Sequence, residues 1–193
     1  YRCLLSDELM LLVGALRPIN CPLLRHLSLR ICSQLVSSLE PLRDAAQLTQ
    51  LRSMSLDLRT LDFPIGEYMP PQLEELTVRC TFTVARTWLL VIRGVLRQCV
   101  ELRSLTLQSQ TTLPPARGYD RAFDKALSDA AIAVEFSTLK RLILRPISKF
   151  QQPDALAAWT RVAHTLKRAR VEVRGSAAEP QALDSTDVIR VDL

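Results

Sequence analysis

One short phrase recurs along this 193-residue chain and constrains its fold more than any other feature. It runs as an apolar residue, two variable ones, an apolar residue, one variable and a closing apolar residue. It reads Leu24-Arg25-His26-Leu27-Ser28-Leu29, then Leu51-Arg52-Ser53-Met54-Ser55-Leu56, then Leu73-Glu74-Glu75-Leu76-Thr77-Val78. It returns as Leu102-Arg103-Ser104-Leu105-Thr106-Leu107 and Leu139-Lys140-Arg141-Leu142-Ile143-Leu144, and a degenerate copy is Leu166-Lys167-Arg168-Ala169-Arg170-Val171. Successive starts lie 27, 22, 29, 37 and 27 residues apart. The last two apolar positions of each phrase are two residues apart, so in a strand they share one face and point inward. One such strand cannot bury that face by itself, whereas stacked neighbours build a continuous core. The expected fold is therefore α/β: about six irregular repeats, with parallel strands on a concave face and helices and loops on the convex one.

The segments between the phrases supply the second wall. Ser6 is a plausible N-cap for a helix over Asp7–Leu16, and Pro41 suits the first turn of one running to about Gln47. Val84–Gln98 carries the clearest amphipathic pattern, with Trp88, Leu89, Val91, Ile92, Val95 and Leu96 on one stripe and Arg86, Arg93 and Arg97 outside it. In Tyr119–Glu135 the stripe is Phe123, Ala126, Leu127, Ala130, Ala131 and Val134. Asp154 caps a last helix with Leu156, Trp159, Val162 and Ala163 inward. The second repeat is the shortest, and Pro64, Pro70 and Pro71 make its return a loop. Gln108–Gly118, with Pro114 and Pro115, reads as an inserted loop. Residues 1–174 form the repeat domain, with the first helix as its cap. Residues 175–193 read as an acidic linker or tail in which Val188–Leu193 is either a closing strand or frayed chain.

The chain resembles leucine-rich repeat proteins over residues 4–174, and looks like the cysteine-containing type found in F-box substrate adaptors. Cys21-Pro22-Leu23-Leu24-Arg25-His26-Leu27-Ser28-Leu29-Arg30-Ile31-Cys32 is close to that type's signature, and Cys99-Val100-Glu101-Leu102-Arg103-Ser104-Leu105-Thr106-Leu107 repeats its first half. The other copies lack the leading cysteine, and Cys80 sits one position early. The resemblance implies a solenoid and a non-catalytic protein-binding module, the substrate-recognition part of an F-box-type ubiquitin ligase adaptor. The chain opens on Tyr1 and is expected to be a piece of something longer.

Composition narrows the chemistry. The five cysteines (Cys3, Cys21, Cys32, Cys80, Cys99) form no CxxC pair and no Cys–His cluster at metal-ligand spacing. They read as reduced packing residues of an intracellular protein, in cytoplasm or nucleus. The two histidines, His26 and His164, are far apart, and GxSxG, HExxH, P-loop and GxGxxG patterns are absent. No catalysis, cofactor or metal is expected. The apolar windows Leu9–Leu16 and Trp88–Leu96 fall short of the about 20 residues that a membrane span needs.

Net charge is +5, and the last 19 residues hold four acids against one base, so the body carries +8. A basic body favours acidic partners. In the strand reading the outward positions include His26, Arg30 and Arg79, and the last two copies gather Arg141, Arg145, Arg168 and Arg170 into one patch. That patch is either a solvated basic face or a binding site for an acidic protein segment. The alternative partner is nucleic acid or phosphate, although no aromatic residue lies on the outward positions to stack with bases. A regulatory domain of a larger enzyme is a third reading. His26 reads as a solvated surface residue, and His164 as a residue near a helix C-terminus where it favours the dipole.

Overall fold

The structure, a computed structural model, describes residues 21–31, 47–61, 65–81, 85–112, 121–147, 161–168 and 189–192. Its centre is a six-stranded sheet in which spatial order follows chain order: β1 (His26–Ile31), β2 (Ser53–Thr60), β3 (Glu75–Thr81), β4 (Ser104–Thr112), β5 (Arg141–Ile147) and β6 (Ile189–Asp192). The first five are parallel, and β6 runs antiparallel along β5. Among the described residues three helices accompany them: α1 (Ala85–Gln98), α2 (Arg121–Glu135) and α3 (161–168).

The recurring phrase sets the register. Leu27, Met54, Leu76, Leu105 and Leu142 are successive partners across five strands, and so are Leu29, Leu56, Val78, Leu107 and Leu144. Those two rows are buried, in one core with Trp88, Leu89, Val91, Ile92, Val95 and Leu96 of α1 and Phe123, Ala126, Leu127, Ala130 and Val134 of α2. The helices therefore cover one face of the sheet, and the alternate residues of each strand occupy the other.

The corners before β1 to β4 are built to a common plan. Leu24 N donates to Cys21 O, Leu51 N to Leu48 O, Leu73 N to Pro70 O and Leu102 N to Cys99 O, closing a single tight turn each time. Side chains then tie one corner to the previous one. Gln72 Nε2 donates to Leu48 O at 2.8 Å, and Cys99 Sγ to Pro70 O at 3.4 Å. Thr138 Oγ1 shares its proton between Val100 O and Leu102 O, at 3.0 and 2.9 Å. Among the described residues, the return from β2 to β3 contains only a 3-10 turn, Gly66–Tyr68. It lies so close to α1 that a Cβ on Gly66 would fall 2.3 Å from the backbone of Gly94. Between helices, Arg93 pairs with Asp129 at 2.6 Å and Arg161 with Asp124 at 3.1 Å, linking α1 to α2 and α2 to α3.

Two expectations are corrected here. The degenerate sixth copy does not begin as a strand: residues 161–168 are helical, with Val162 and Leu166 buried one turn apart and Thr165 Oγ1 bonded back to Arg161 O. The sixth strand is instead β6, from the acidic tail, so it is antiparallel. The loop expected from Gln108 also starts later, because β4 continues to Thr112 through a register shift after Gln108. The helices expected near Asp7–Leu16 and Pro41–Gln47, the N-terminal part of the last helix and the 174/175 boundary lie outside the described residues.

Candidate binding face

The uncovered face of the sheet is assembled from the variable residues of the phrases, and register sorts them into three rows. The first is His26, Ser53, Glu75, Ser104 and Arg141, continued by Asp192 of β6. The second is Ser28, Ser55, Thr77, Thr106 and Ile143, continued by Arg190. The third is Arg30, Asp57, Arg79, Gln108 and Arg145. Small hydroxylic residues thus hold the middle, and charges stand at the two ends of the strands. The backbone beneath is rigidly tied: Arg25, Arg52, Glu74 and Arg103 carbonyls each accept two N–H groups from the start of the next strand.

At the strand starts the side chains form a charged ridge. Glu74 Oε1 lies 3.4 Å from Arg52 Nε and its Oε2 stands 4.0 Å from Arg103 Nη1, so one carboxylate bridges two guanidinium groups from neighbouring corners. These pairs are partly exposed, and each is worth little to stability. In the third row Arg30 Nε lies 3.5 Å from Asp57 Oδ2, another partly exposed pair. Arg79, on the far side of Asp57, is exposed.

The arginine patch read from the sequence is divided. Arg141 and Arg145 lie on β5, four residues apart along one strand. Arg168 is exposed at the end of the described part of α3, in the helix layer, because the segment that carries it is not a strand. Arg170 lies outside the described residues. The structure therefore does not bring Arg168 to the strand face beside Arg141. Arg30 and Arg79 are exposed on that face as expected, and His26 is exposed at the start of β1. Aligning the copies of the phrase already sets Asp57 and Gln108 between these arginines, and the strand register agrees. Sequence reasoning missed the apolar side chains that the corners leave outside, Leu23, Val100 and Phe136, with Ile132 one turn before Phe136.

The cysteines do what small hydrophobic residues do. Cys80 and Cys99 are buried and Cys21 is half-buried against the core. Burial pushes the Cys99 thiol from 9.0 up to about 12, so it stays protonated and serves as a donor to Pro70 O. Cys3 and Cys32 lie outside the described residues. Among the described residues no group of three or more His, Cys, Asp and Glu side chains is placed to hold a metal ion. No helix among them is long and apolar enough to cross a membrane.

The fold and face together describe an α/β protein with a five-stranded parallel sheet, one side covered by helices and the other, among the described residues, uncovered and mostly polar. Comparison of the chain with protein-family models, curated proteins and solved structures gives no match in any of the three.

Proposed function

We propose that this chain is a non-catalytic protein-binding module of the leucine-rich-repeat kind, whose open sheet face receives a partner through an acidic segment. The observation that carries this reading is the alignment of the outward residues of five consecutive strands into continuous rows. These positions contain four arginines (Arg30, Arg79, Arg141, Arg145) against two acids (Asp57, Glu75), an excess that favours a negatively charged partner. Ser28, Ser55, Thr77 and Thr106 leave room between the rows for partner side chains. The hydrogen-bonded corners hold the rows in place before binding, which lowers the ordering cost of association. The nucleic-acid reading draws less support, because Arg168 belongs to the helix layer and the three rows carry no aromatic side chain.

The test is a comparison of two surfaces in the full-length protein. Thr77→Arg and Thr106→Arg fill the middle row, and Arg86→Glu and Arg97→Glu alter the exposed side of α1. Partner capture measured by quantitative mass spectrometry should fall only for the first pair. Loss only with the α1 variants would reject the sheet face. The narrower role, substrate recognition within a ubiquitin ligase, requires that the full-length protein co-purify with ligase scaffold subunits.

A further inference from the structure

The third row of the sheet face carries a charge pattern with a definite period. Arg30, Asp57, Arg79, Gln108 and Arg145 are register partners on β1 to β5, so a cation stands on every second strand. An acid, itself paired with Arg30, separates the first two arginine positions and an amide the next two. Neighbouring strands lie about 4.8 Å apart, which places the arginine positions about 9.6 Å from one another. The row also sits at the C-terminal end of the regular pairing. Register shifts follow Asp57 in the β2–β3 pair and Gln108 in the β4–β5 pair. Arg79 is exposed and makes no ion pair with a described residue.

A peptide crossing the strands along this row must repeat its acids at the same interval. An extended strand returns a side chain to one face about every 6.7 Å, and next at about 13 Å, so neither repeat fits. An α-helix brings every seventh residue back after about 10.5 Å, but its diameter of about 10–12 Å spreads it over the adjoining rows. A polyproline II segment has three residues per turn and rises about 3.1 Å per residue, so every third residue recurs on one face after about 9.3 Å. It is slender, and it is already ordered before it binds.

We propose that this row binds a polyproline II segment of another protein with a carboxylate at every third residue. The segment lies across the strands, with its acids at the register positions of Arg30, Arg79 and Arg145. This proposal rests on the sheet-face reading above and adds the conformation and spacing of the acidic segment. Asp57 contributes selectivity: in a run of contiguous acids, one would be set against its carboxylate, and like charges in juxtaposition are unfavourable. Uncharged residues pass over Asp57 and Gln108 instead.

Two labelled peptides of identical composition test it by fluorescence anisotropy at low ionic strength, where charge contacts are least screened. One is Glu-Pro-Pro-Glu-Pro-Pro-Glu, and the other has the three glutamates contiguous and the four prolines after them. The spaced peptide should bind about tenfold tighter or more, a difference of about 1.4 kcal/mol. Arg79→Glu should remove that preference by weakening the spaced peptide, and Arg79→Lys should recover part of it. Asp57→Asn should narrow the gap from the other side, by strengthening the contiguous peptide. Equal affinity for the two peptides, with both lost on Arg79→Glu, would overturn the spacing rule and leave the sheet face as the binding surface. No binding of either peptide, or binding lost on Arg86→Glu but not on Arg79→Glu, would overturn both.

Discussion

The first five strands and the C-terminal end of the molecule follow different rules, although the same phrase marks both. From β1 to β5 each copy of the phrase becomes a strand in register with the last. At Leu166 the phrase becomes a helix, and the sheet is completed by residues that do not carry it. Leu166 is as deeply buried as Leu51, Leu73, Leu102 and Leu139, so burial of the leading leucine does not separate the two outcomes. The corner does. Cys21-Pro22-Leu23, Leu48-Thr49-Gln50, Pro70-Pro71-Gln72, Cys99-Val100-Glu101 and Phe136-Ser137-Thr138 each break the chain before the leucine. Ala163-His164-Thr165 does not, and a helix passes straight through it. Apolar spacing selects which residues go inward, and the turn before them decides whether they do so as a strand.

The largest effect that probes this contrast is in the regular part. Leu105 is completely buried on the central β4, and Leu105→Ala should cost about 2–5 kcal/mol in denaturant unfolding. Thr106→Ala, its neighbour on the open face, should stay within about 0.5 kcal/mol. Equal costs would mean that the two faces of the sheet have been exchanged. The C-terminal end has its own probe in His164→Pro. The equivalent corner position holds proline in the first and third copies, Pro22 and Pro71, so a strand corner would accept the change. Inside α3 it should cost about 3 kcal/mol, because it removes a helical hydrogen bond and crowds the preceding turn. A near-neutral His164→Pro would restore the sixth copy to the sheet.

A smaller pair of substitutions tests the loop that replaces a helix between β2 and β3. Gly66→Ala places a methyl group against the backbone of Gly94 and should cost about 1–3 kcal/mol as overpacking. Gly94→Ala meets atoms only at 3.7 Å, an ordinary contact. In the helix it should be stabilising by about 1 kcal/mol or less, from helix propensity. Calorimetric melting temperatures that move the same way for both would show that the 3-10 turn does not rest on α1.

How far the sequence carried can be judged from particular elements. The phrase located five strands and their inward faces, because a period of two is written directly in Leu105-Thr106-Leu107 and its counterparts. The stripe from Trp88 to Leu96 likewise gave α1 within a residue of its observed start. The binding face was read less completely. Which side chains point outward follows from alternation, but which ones stand together follows from register, and that depends on where each corner turns. Arg168 was misplaced for this reason: Leu166-Lys167-Arg168-Ala169-Arg170-Val171 satisfies the spacing of a strand and of a helix equally well. The separation of Arg30 from Arg79 by Asp57, by contrast, follows from aligning the copies, and the pairing of β1, β2 and β3 agrees with it.

The direction of β6 has a consequence for how such an assembly ends. A stack of parallel strands is open to growth, since each added strand presents the same edge as the one it covered. Molecules with such an edge could in principle join end to end into fibres. Along residues 141–144 of β5 that edge is occupied by a strand of opposite polarity, whose hydrogen bonds follow the alternating antiparallel pattern. A further parallel copy finds no matching template there. The tail strand thus ends the run of parallel pairing and covers the β5 edge along these four positions.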